Sequence, residues 1–234
     1  MSMTAAEVMR RANITLNDTG LVRSTAPELR DYLNDAMREV ALSKPNAITD
    51  TVELSLVKGT RQALAADHIS IQRVTRNLDT IDSDPEKRAG GRAIRAVARE
   101  TLDAVMPGWQ DPDSLPYSAV VDHVLVDIAN PREFFVVPGN DGTGVVEATV
   151  AVMPTDVPLP GANQLQIESY TTQLDVPDIY RSALVNYVLH RAYAKDGDNP
   201  ASANRAAAHF AAFQQSLGIK MEAEVNLNAA RAGG

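Results

Sequence analysis

The feature that most constrains the fold is the segment 179–194, which is apolar on almost every side of a helical wheel. Its apolar residues form three stripes: Ile179, Ala183 and Tyr187; Leu184 and Val188; and Val185, Leu189 and Ala192. A helix on the surface of a small protein needs only one apolar stripe, about 100° wide. This helix must therefore be covered from more than one side.

The apolar stripes of such a helix could be buried in two ways. It could be the central helix of a bundle within one chain, or part of its cover could come from a neighbouring copy of the same chain. We expect Leu184 and Val188 to lie in the core. On the second interpretation, Val185 and Leu189 lie partly at a boundary between subunits.

Another helix follows after a clear break. Residues 195–200, Lys-Asp-Gly-Asp-Asn-Pro, supply a glycine to end one helix, then an asparagine cap and a proline to begin the next. The second helix has apolar residues at helical spacing: Ala203, Ala206, Ala207, Phe210, Phe213 and Leu217. Gly218 stands where a C-terminal cap is expected. Together these signals predict an antiparallel helical hairpin.

Composition excludes several kinds of function. The 234 residues include no cysteine, which excludes disulfides, a thiolate nucleophile and cysteine-bound metals. No apolar run reaches the length of about 18 residues that indicates a membrane span. The N-terminus lacks the layout of a secretion signal, so we expect intracellular synthesis. A formal net charge of -8 argues against a protein that neutralises nucleic-acid phosphates over its surface.

Earlier in the chain, local signals predict helices and then strands. Capping boxes at Thr4…Glu7 and Thr25…Glu28 each open a helix, the first to about Leu16 and the second as far as Pro45. From Thr49 the apolar spacing changes to two residues. Strands are predicted over 52–56, 69–76, 118–128, 133–137 and 145–153, the last three as an antiparallel meander. A short helix is predicted near 94–105, and loops over 79–91 and 154–176.

These elements predict an α+β protein that is mainly α. Residues 1–48 and 178–218 form its helical bundle, made of the N-terminal helices and the C-terminal helical hairpin. Residues 49–177 form an antiparallel β-rich insertion with one short helix. Residues 219–234 alternate apolar and polar side chains and are predicted to form an extended C-terminal tail.

A search for reactive side chains identifies no catalytic, cofactor-binding or metal-binding residues. The histidines His68, His123, His190 and His209 lack zinc-site spacing, and the glycine-rich run 139–144 lacks the lysine of a phosphate-binding loop. One alternative function remains, an enzyme for a small ligand with its site in the 154–176 loop and with Glu168 and Asp175 as its carboxylates.

Four arginines form a basic series. They are Arg88, Arg92, Arg95 and Arg99, and the last three would share one face of the short predicted helix. The ordinary interpretation is a solvated face. The alternative is contact with an acidic protein partner or with a phosphate backbone.

Ordered fragments of the chain resemble a family of tailed-phage head-to-tail adaptor, or connector, proteins. The fragments are Leu16-Asn17-Asp18-Thr19-Gly20, Thr25-Ala26-Pro27-Glu28-Leu29, Tyr32-Leu33-Asn34-Asp35-Ala36, Lys58-Gly59-Thr60-Arg61-Gln62, Leu102-Asp103, Pro107-Gly108-Trp109, Asn130-Pro131-Arg132-Glu133-Phe134, Val136-Val137-Pro138, Tyr187 to Asp196, and Arg205 to Phe210. They span roughly residues 14–218 in the expected order. They are structural signatures and imply no catalytic residue.

The resemblance implies a structural virion protein at the head–tail junction, synthesised in the host cytoplasm. Such adaptors form a ring, commonly of twelve copies, beneath the portal protein. The ring extends the DNA channel and presents a platform for tail or nozzle proteins. Genomic DNA passes through the lumen without specific binding, and no cofactor or membrane is involved. Similar adaptors anchor to the portal through C-terminal segments, which here implies portal contacts by Ile219, Met221, Val225 and Leu227.

Overall fold

The computed structural model describes residues 3–126, 129–195 and 199–232, with side chains described as far as residue 218. The chain divides into two compact units. The helical unit contains Met1–Ile48 and Pro154–Gly234, and the strand unit contains Thr49–Met153. The strand unit is therefore an insertion in the sequence of the helical unit.

The helices are α1 (Ala5–Leu16), α2 (Ala26–Ser43), α3 (Arg99–Val105), α4 (Arg181–Ala194) and α5 (Pro200–Ala232). Short 3₁₀ turns lie at Pro45–Ala47, Pro85–Lys87, Ile167–Ser169 and Asp178–Tyr180. Both predicted capping boxes are confirmed. The hydroxyls of Thr4 and Thr25 accept hydrogen bonds from the N–H groups of Glu7 and Glu28, and each glutamate side chain accepts one from the cap backbone.

In the helical unit, α4 is the central helix, because α1, α2 and α5 all pack against it. Leu184 and Val188 are fully buried. The all-round apolar character of α4 is thus matched largely by cover within one chain, which confirms the first interpretation. α5 runs antiparallel to α4, with His190 contacting Ala206 and His209 contacting Asn186. The predicted hairpin is confirmed.

Residues 154–177, which we call the strap, pack with the helices. The boundary between the units therefore lies after residue 153 and not at 177 as predicted. The strap has little regular structure, yet it buries Val157, Tyr170 and Val176. The N–H groups at the start of α1 donate to its backbone carbonyls. Because its buried side chains have no regular spacing, no sequence period indicated this packing.

The strands of the strand unit are β1 (Thr49–Ser55), β2 (Gly59–Ala63), β3 (His68–Leu78), β4 (Gly90–Ala93), β5 (Arg95–Ala96), β6 (His123–Val126), β7 (Glu133–Asn140) and β8 (Val145–Val152). Within the described residues they form two four-stranded sheets, of order β1-β8-β3-β4 and β2-β7-β6-β5. Thr49 of β1 pairs directly with Ala151 of β8, so the unit begins and ends on neighbouring strands.

The two sheets share one apolar core, and a second core lies outside it. Phe134 and Val136 of β7 contribute to the shared core, together with residues of β3 and β8. Phe135 and Val137, on the opposite face of β7, belong to the second core. There they pack with Trp109 and with α3. The strand unit is therefore layered as sheet, sheet and short helix.

The prediction of a mainly α protein is wrong. The described residues form two four-stranded sheets beside the five α-helices, so the fold is a mixed α/β fold. The predicted meander is also wrong beyond its first pair. β6 pairs with β7, but β8 lies between β1 and β3 in the other sheet. Strand pairing depends on long-range burial, which adjacency in sequence does not report.

Two further elements differ from prediction. The helix predicted near 94–105 begins only at Arg99, because Arg95–Ala96 pairs in parallel with β6 as β5. The prediction of an extended C-terminal tail is wrong too, because α5 continues through Gly218 to Ala232. Residues 219–232 are rich in alanine and other strong helix formers, and this preference outweighs their two-residue alternation. Residues 233–234 lie outside the described part.

Arg88 is a buried counter-ion in the strand unit and not part of a solvated face. Its side chain is 5% exposed, with Nε 3.0 Å from Oε1 of Glu53 and Nη1 3.8 Å from Oε2 of Glu147. The two glutamates lie directly opposite each other in the β1–β8 pair, where like charges repel. Arg76 also pairs with Glu147, at 3.0 Å. The two arginines therefore neutralise facing carboxylates, and Arg88 holds the loop before β4 against the sheet.

Candidate functional site

The fragments that resemble adaptor proteins hold the helical unit together. The loop between α1 and α2 folds around Asp18, whose carboxylate accepts hydrogen bonds of 2.9–3.1 Å from the N–H groups of Val22, Arg23 and Ser24. These bonds, led by the one from Ser24, lower the pKa of Asp18. Asn17 ends α1 at a φ of 54°, a left-handed conformation that asparagine tolerates.

Two more of these fragments join separate parts of the helical unit. Nζ of Lys195, after α4, lies 2.6 Å from Oε1 of Glu28 on α2, and this bond is the main cause of the lowered pKa of Glu28. Asn34 on α2 is 4% exposed. Its amide accepts from the N–H of Val157 at 2.9 Å and donates to the same residue's carbonyl at 3.4 Å. Asn34 therefore fixes the strap on α2.

The fragments that lie in the strand unit also make internal hydrogen bonds, which join its strands and turns. The side chain of Gln62 bonds the backbone of Val57 and Gly59 and closes the turn between β1 and β2. Nε of Arg61 donates to Oε2 of Glu133 at 2.9 Å, which joins β2 to β7. Nε1 of Trp109 donates to Oδ1 of Asp103 at 2.8 Å. These signature residues are committed to internal contacts, so partner contacts are to be sought elsewhere on the surface.

The first candidate surface is a groove of about 360 Å³ between α1 and α4, which we call the α1–α4 groove. Its lining residues are Arg11, Ile14, Thr15, Arg181, Ser182, Val185 and Asn186. Ile14 is 71% exposed, and Val185 is half-buried. No carboxylate lines the groove. An exposed isoleucine beside a half-buried valine is an apolar surface suited to a protein contact.

The second candidate surface is residues 157–167 of the strap, which we call the charge-free loop. It contains no charged side chain, and Asp156 and Glu168 flank it. Leu159 is 45% exposed and Leu165 is 70% exposed. The loop is nevertheless fixed, since the buried Tyr170 donates its hydroxyl to the carbonyl of Gln164 at 2.8 Å. Our sequence predictions missed this surface, although the run of uncharged residues is visible in the sequence.

The predicted interface residues have different positions. Val185 lies in the α1–α4 groove, where a neighbouring chain has access to it. Leu189 is 2% exposed and is already covered within its own chain. The residues predicted to bind the portal, Ile219, Met221, Val225 and Leu227, lie in the C-terminal part of α5, and their side chains lie outside the described residues.

The residues considered for chemistry have structural partners. In the 154–176 loop, Oδ2 of Asp175 accepts from the N–H of Thr155, and Glu168 lies 3.7 Å from Arg10. Burial is the main cause of the lowered pKa of His209, whose Nδ1 lies 3.0 Å from Oδ1 of Asn186. Across the described residues, no three histidine or acidic side chains are grouped so as to hold a metal ion.

The basic series does not form one surface. Arg92 lies on β4 and Arg95 on β5, while Arg99 opens α3. Arg92 pairs with Asp122 at 2.8 Å, and Arg99 lies over the ring of Phe135 at 5.6 Å. In the part of the chain that the structure describes, no helix is both long and apolar enough to cross a membrane.

Comparison with known proteins agrees with the resemblance in the ordered fragments. Among curated proteins, none matches the chain. The family model of the SU10 adaptor protein matches residues 3–233, a range that includes both units. The chain belongs to the SU10 adaptor protein family and is a structural adaptor of a bacteriophage virion.

Proposed function

We propose that this adaptor forms a ring of about twelve copies beneath the portal protein at the head–tail junction. The ring extends the DNA channel and provides the platform to which tail or nozzle proteins attach. The observation that carries this proposal is the family match over residues 3–233, because it assigns both units to an adaptor. Membership of a structural adaptor family implies a non-enzymatic role.

Net charge supports a passive role toward DNA. Each chain carries a formal charge of -8, so a ring of twelve copies carries about -96. Salt screens this charge over a Debye length of roughly 8–10 Å. At shorter range the ring repels phosphate, and DNA passes through the lumen without specific binding.

The C-terminal part of α5 is the proposed contact with the portal. α5 has 33 residues and α4 has 14. At 1.5 Å per residue these helices are about 50 Å and about 21 Å long, so α4 can line less than half of α5. We assign portal binding to the segment 219–232 as a helix and keep Ile219, Met221, Val225 and Leu227 as the candidate contacts, of which only Met221 and Val225 have the four-residue spacing of one helical face. A helix laid in a groove is a common mode of recognition.

The mass of the native assembly tests the ring. A chain of 25.2 kDa gives a dodecamer of about 300 kDa, which native mass spectrometry resolves from smaller oligomers. The measurement is made on the full chain alone and with the purified portal protein of the same phage. If neither sample contains a ring, the proposed function is wrong.

Deletion of residues 219–234 tests the portal contact. We expect the shortened chain to fold, because it keeps Ala206, Phe213 and Leu217, the buried apolar residues of α5 among those whose side chains are described. Portal capture in a pull-down should fall at least tenfold. Undiminished capture would show that another surface binds the portal. Deletion of Gly233 and Gly234 alone is the matched control and should leave capture unchanged.

A further inference from the structure

Copies of this chain repel one another, which limits where two copies can meet. Each copy carries a formal charge of -8, and the repulsion acts over about a Debye length, roughly 8–10 Å. A contact between copies is therefore favoured where carboxylates are absent and apolar groups are exposed. The charge-free loop and the α1–α4 groove, both in the helical unit, meet these two conditions.

The charge-free loop is a preformed projection. The N–H of Gln166 donates to the carbonyl of Asn163 at 2.9 Å, which makes the tip a turn. The Tyr170 hydroxyl and the Asn34 amide hold its two sides. Leu165 is 70% exposed on this fixed backbone. A fixed loop loses little conformational entropy on binding, so most of the free energy of burying its leucine goes into affinity.

The α1–α4 groove has complementary properties. Its floor includes Ile14 and Val185, and its charged residues are Arg11 and Arg181. Arg11 is exposed and has no carboxylate within ion-pair distance among the described residues. Its guanidinium is therefore available to backbone carbonyls of an uncharged loop. The clefts beside α3 and between α2 and α5 are lined by Glu100 and Glu39 respectively. Next to the α1–α4 groove, Glu7 lines an adjoining cavity, where it pairs with Arg181 at 3.9 Å.

We infer that the charge-free loop of one copy docks in the α1–α4 groove of the next copy, with Leu165 against Ile14 and Val185. This inference rests on the proposed ring and names the contact that builds it. Loop and groove are different surfaces of the same chain, so the contact is heterologous. Repeated from copy to copy, a heterologous contact closes as a ring when the rotation between neighbouring copies is a whole fraction of a turn.

Cysteine cross-linking tests this contact directly, because the natural chain has no cysteine. Ile14→Cys and Leu165→Cys each introduce a single thiol at an exposed position. The two single variants are mixed and oxidised at a concentration at which the wild-type ring is present, alone or on purified portal. We expect a cross-linked dimer as the main product of the mixture and monomer from each variant alone.

A matched control uses Val22→Cys, which is 87% exposed in the same unit. Mixed with Ile14→Cys it should give no dimer above background. Leu165→Asp should also lower ring yield at least tenfold without changing the melting temperature. Val22→Asp should change neither quantity.

The outcomes separate this inference from the proposed function. A wild-type ring without a cross-link between positions 14 and 165 would overturn the inference and leave the proposed function standing. Efficient dimers from Ile14→Cys alone would also overturn it, because they indicate a two-fold symmetric contact. Absence of any ring, with and without portal, would overturn both proposals together.

Discussion

The helical unit and the strand unit solve the same problem, holding irregular segments in place, by different means. The helical unit holds the strap with a neutral contact, from the Asn34 amide to the backbone of Val157. The strand unit uses buried charge, with Arg88 set between Glu53 and Glu147. A neutral contact depends little on pH, whereas a charged cluster requires that every member keeps its ionisation state. The strap and the loop before β4 are therefore expected to respond differently to mutation and to acid, although acid also acts on the helical unit through Asp18 and Glu28, whose pKa values are lowered.

One probe distinguishes the units in a single sample. Trp109 is the only tryptophan of the chain and is 1% exposed in the strand unit, so its fluorescence reports unfolding of that unit. Far-UV circular dichroism reports mainly α1, α2, α4 and α5, which belong to the helical unit. If both signals always shift together, the two units unfold as one cooperative body and the comparison fails.

The largest effect is expected from Arg88→Ala. Removing this guanidinium leaves Glu53 and Glu147 facing each other with little exposure to water. Loss of one member of a buried ion cluster costs about 3 kcal/mol in the free energy of unfolding. The tryptophan transition in urea should move to lower denaturant while the circular dichroism transition stays. Arg73→Ala, at an exposed position of β3, is the control and should move neither transition.

A smaller loss of stability, in the helical unit instead of the strand unit, is expected from Asn34→Ala. The change leaves the buried N–H of Val157 without its partner, at a cost of about 2 kcal/mol, while the carbonyl of Val157 keeps the guanidinium of Arg30 at 3.4 Å. The circular dichroism transition should shift, and limited proteolysis should cut the strap faster. Gln166→Ala, exposed on the same strap, is the control. A strap that resists proteolysis as before would show that Asn34 does not hold it.

The smallest effect concerns acid. The hydrogen bond from Arg76 is the main cause of the lowered pKa of Glu147, whose ordinary value is 4.5. Because the pKa is lower in the folded state, the stabilisation is present above the ordinary pKa and is lost as pH falls through the folded value. The melting temperature reported by Trp109 should therefore fall as the pH is lowered below the ordinary value of 4.5. Glu147→Gln should be less stable at neutral pH but lose less on acidification, while Glu100→Gln should behave as wild type.

Sequence reasoning succeeded where structure depends on near neighbours. The capping boxes at Thr4 and Thr25 and the all-round apolar α4 were predicted correctly because each signal lies within a few turns of one helix. The pairing of β8 with β1 and β3 was not predicted, because it depends on side chains far apart in sequence. The prediction of an extended tail was wrong for a different reason. The two-residue alternation of residues 219–232 conflicts with their high helix propensity, and the backbone is helical.

The candidate surfaces were predicted only in part. Val185 was identified from the helical wheel of α4, but the wheel cannot show that Leu189, on the same helix, is already covered within its own chain. The 154–176 loop, which contains the charge-free loop, was considered as an enzyme site because a long irregular segment is often functional. Its exposed leucines became informative only once the Tyr170 hydroxyl was seen to fix the loop.

The direct pairing of Thr49 with Ala151 has a consequence for the order of folding. In an unfolded chain, bringing Ile48 and Pro154 together closes a loop of about 105 residues, which costs on the order of 4 kcal/mol of chain entropy. Once the strand unit has folded, the pairing of β1 with β8 holds Ile48 and Pro154 close together. The chain entropy of closing the loop has then been lost before α2 and the strap come together. A folded strand unit thus acts on the helical unit as a cross-link would, in a chain that has no cysteine to form one.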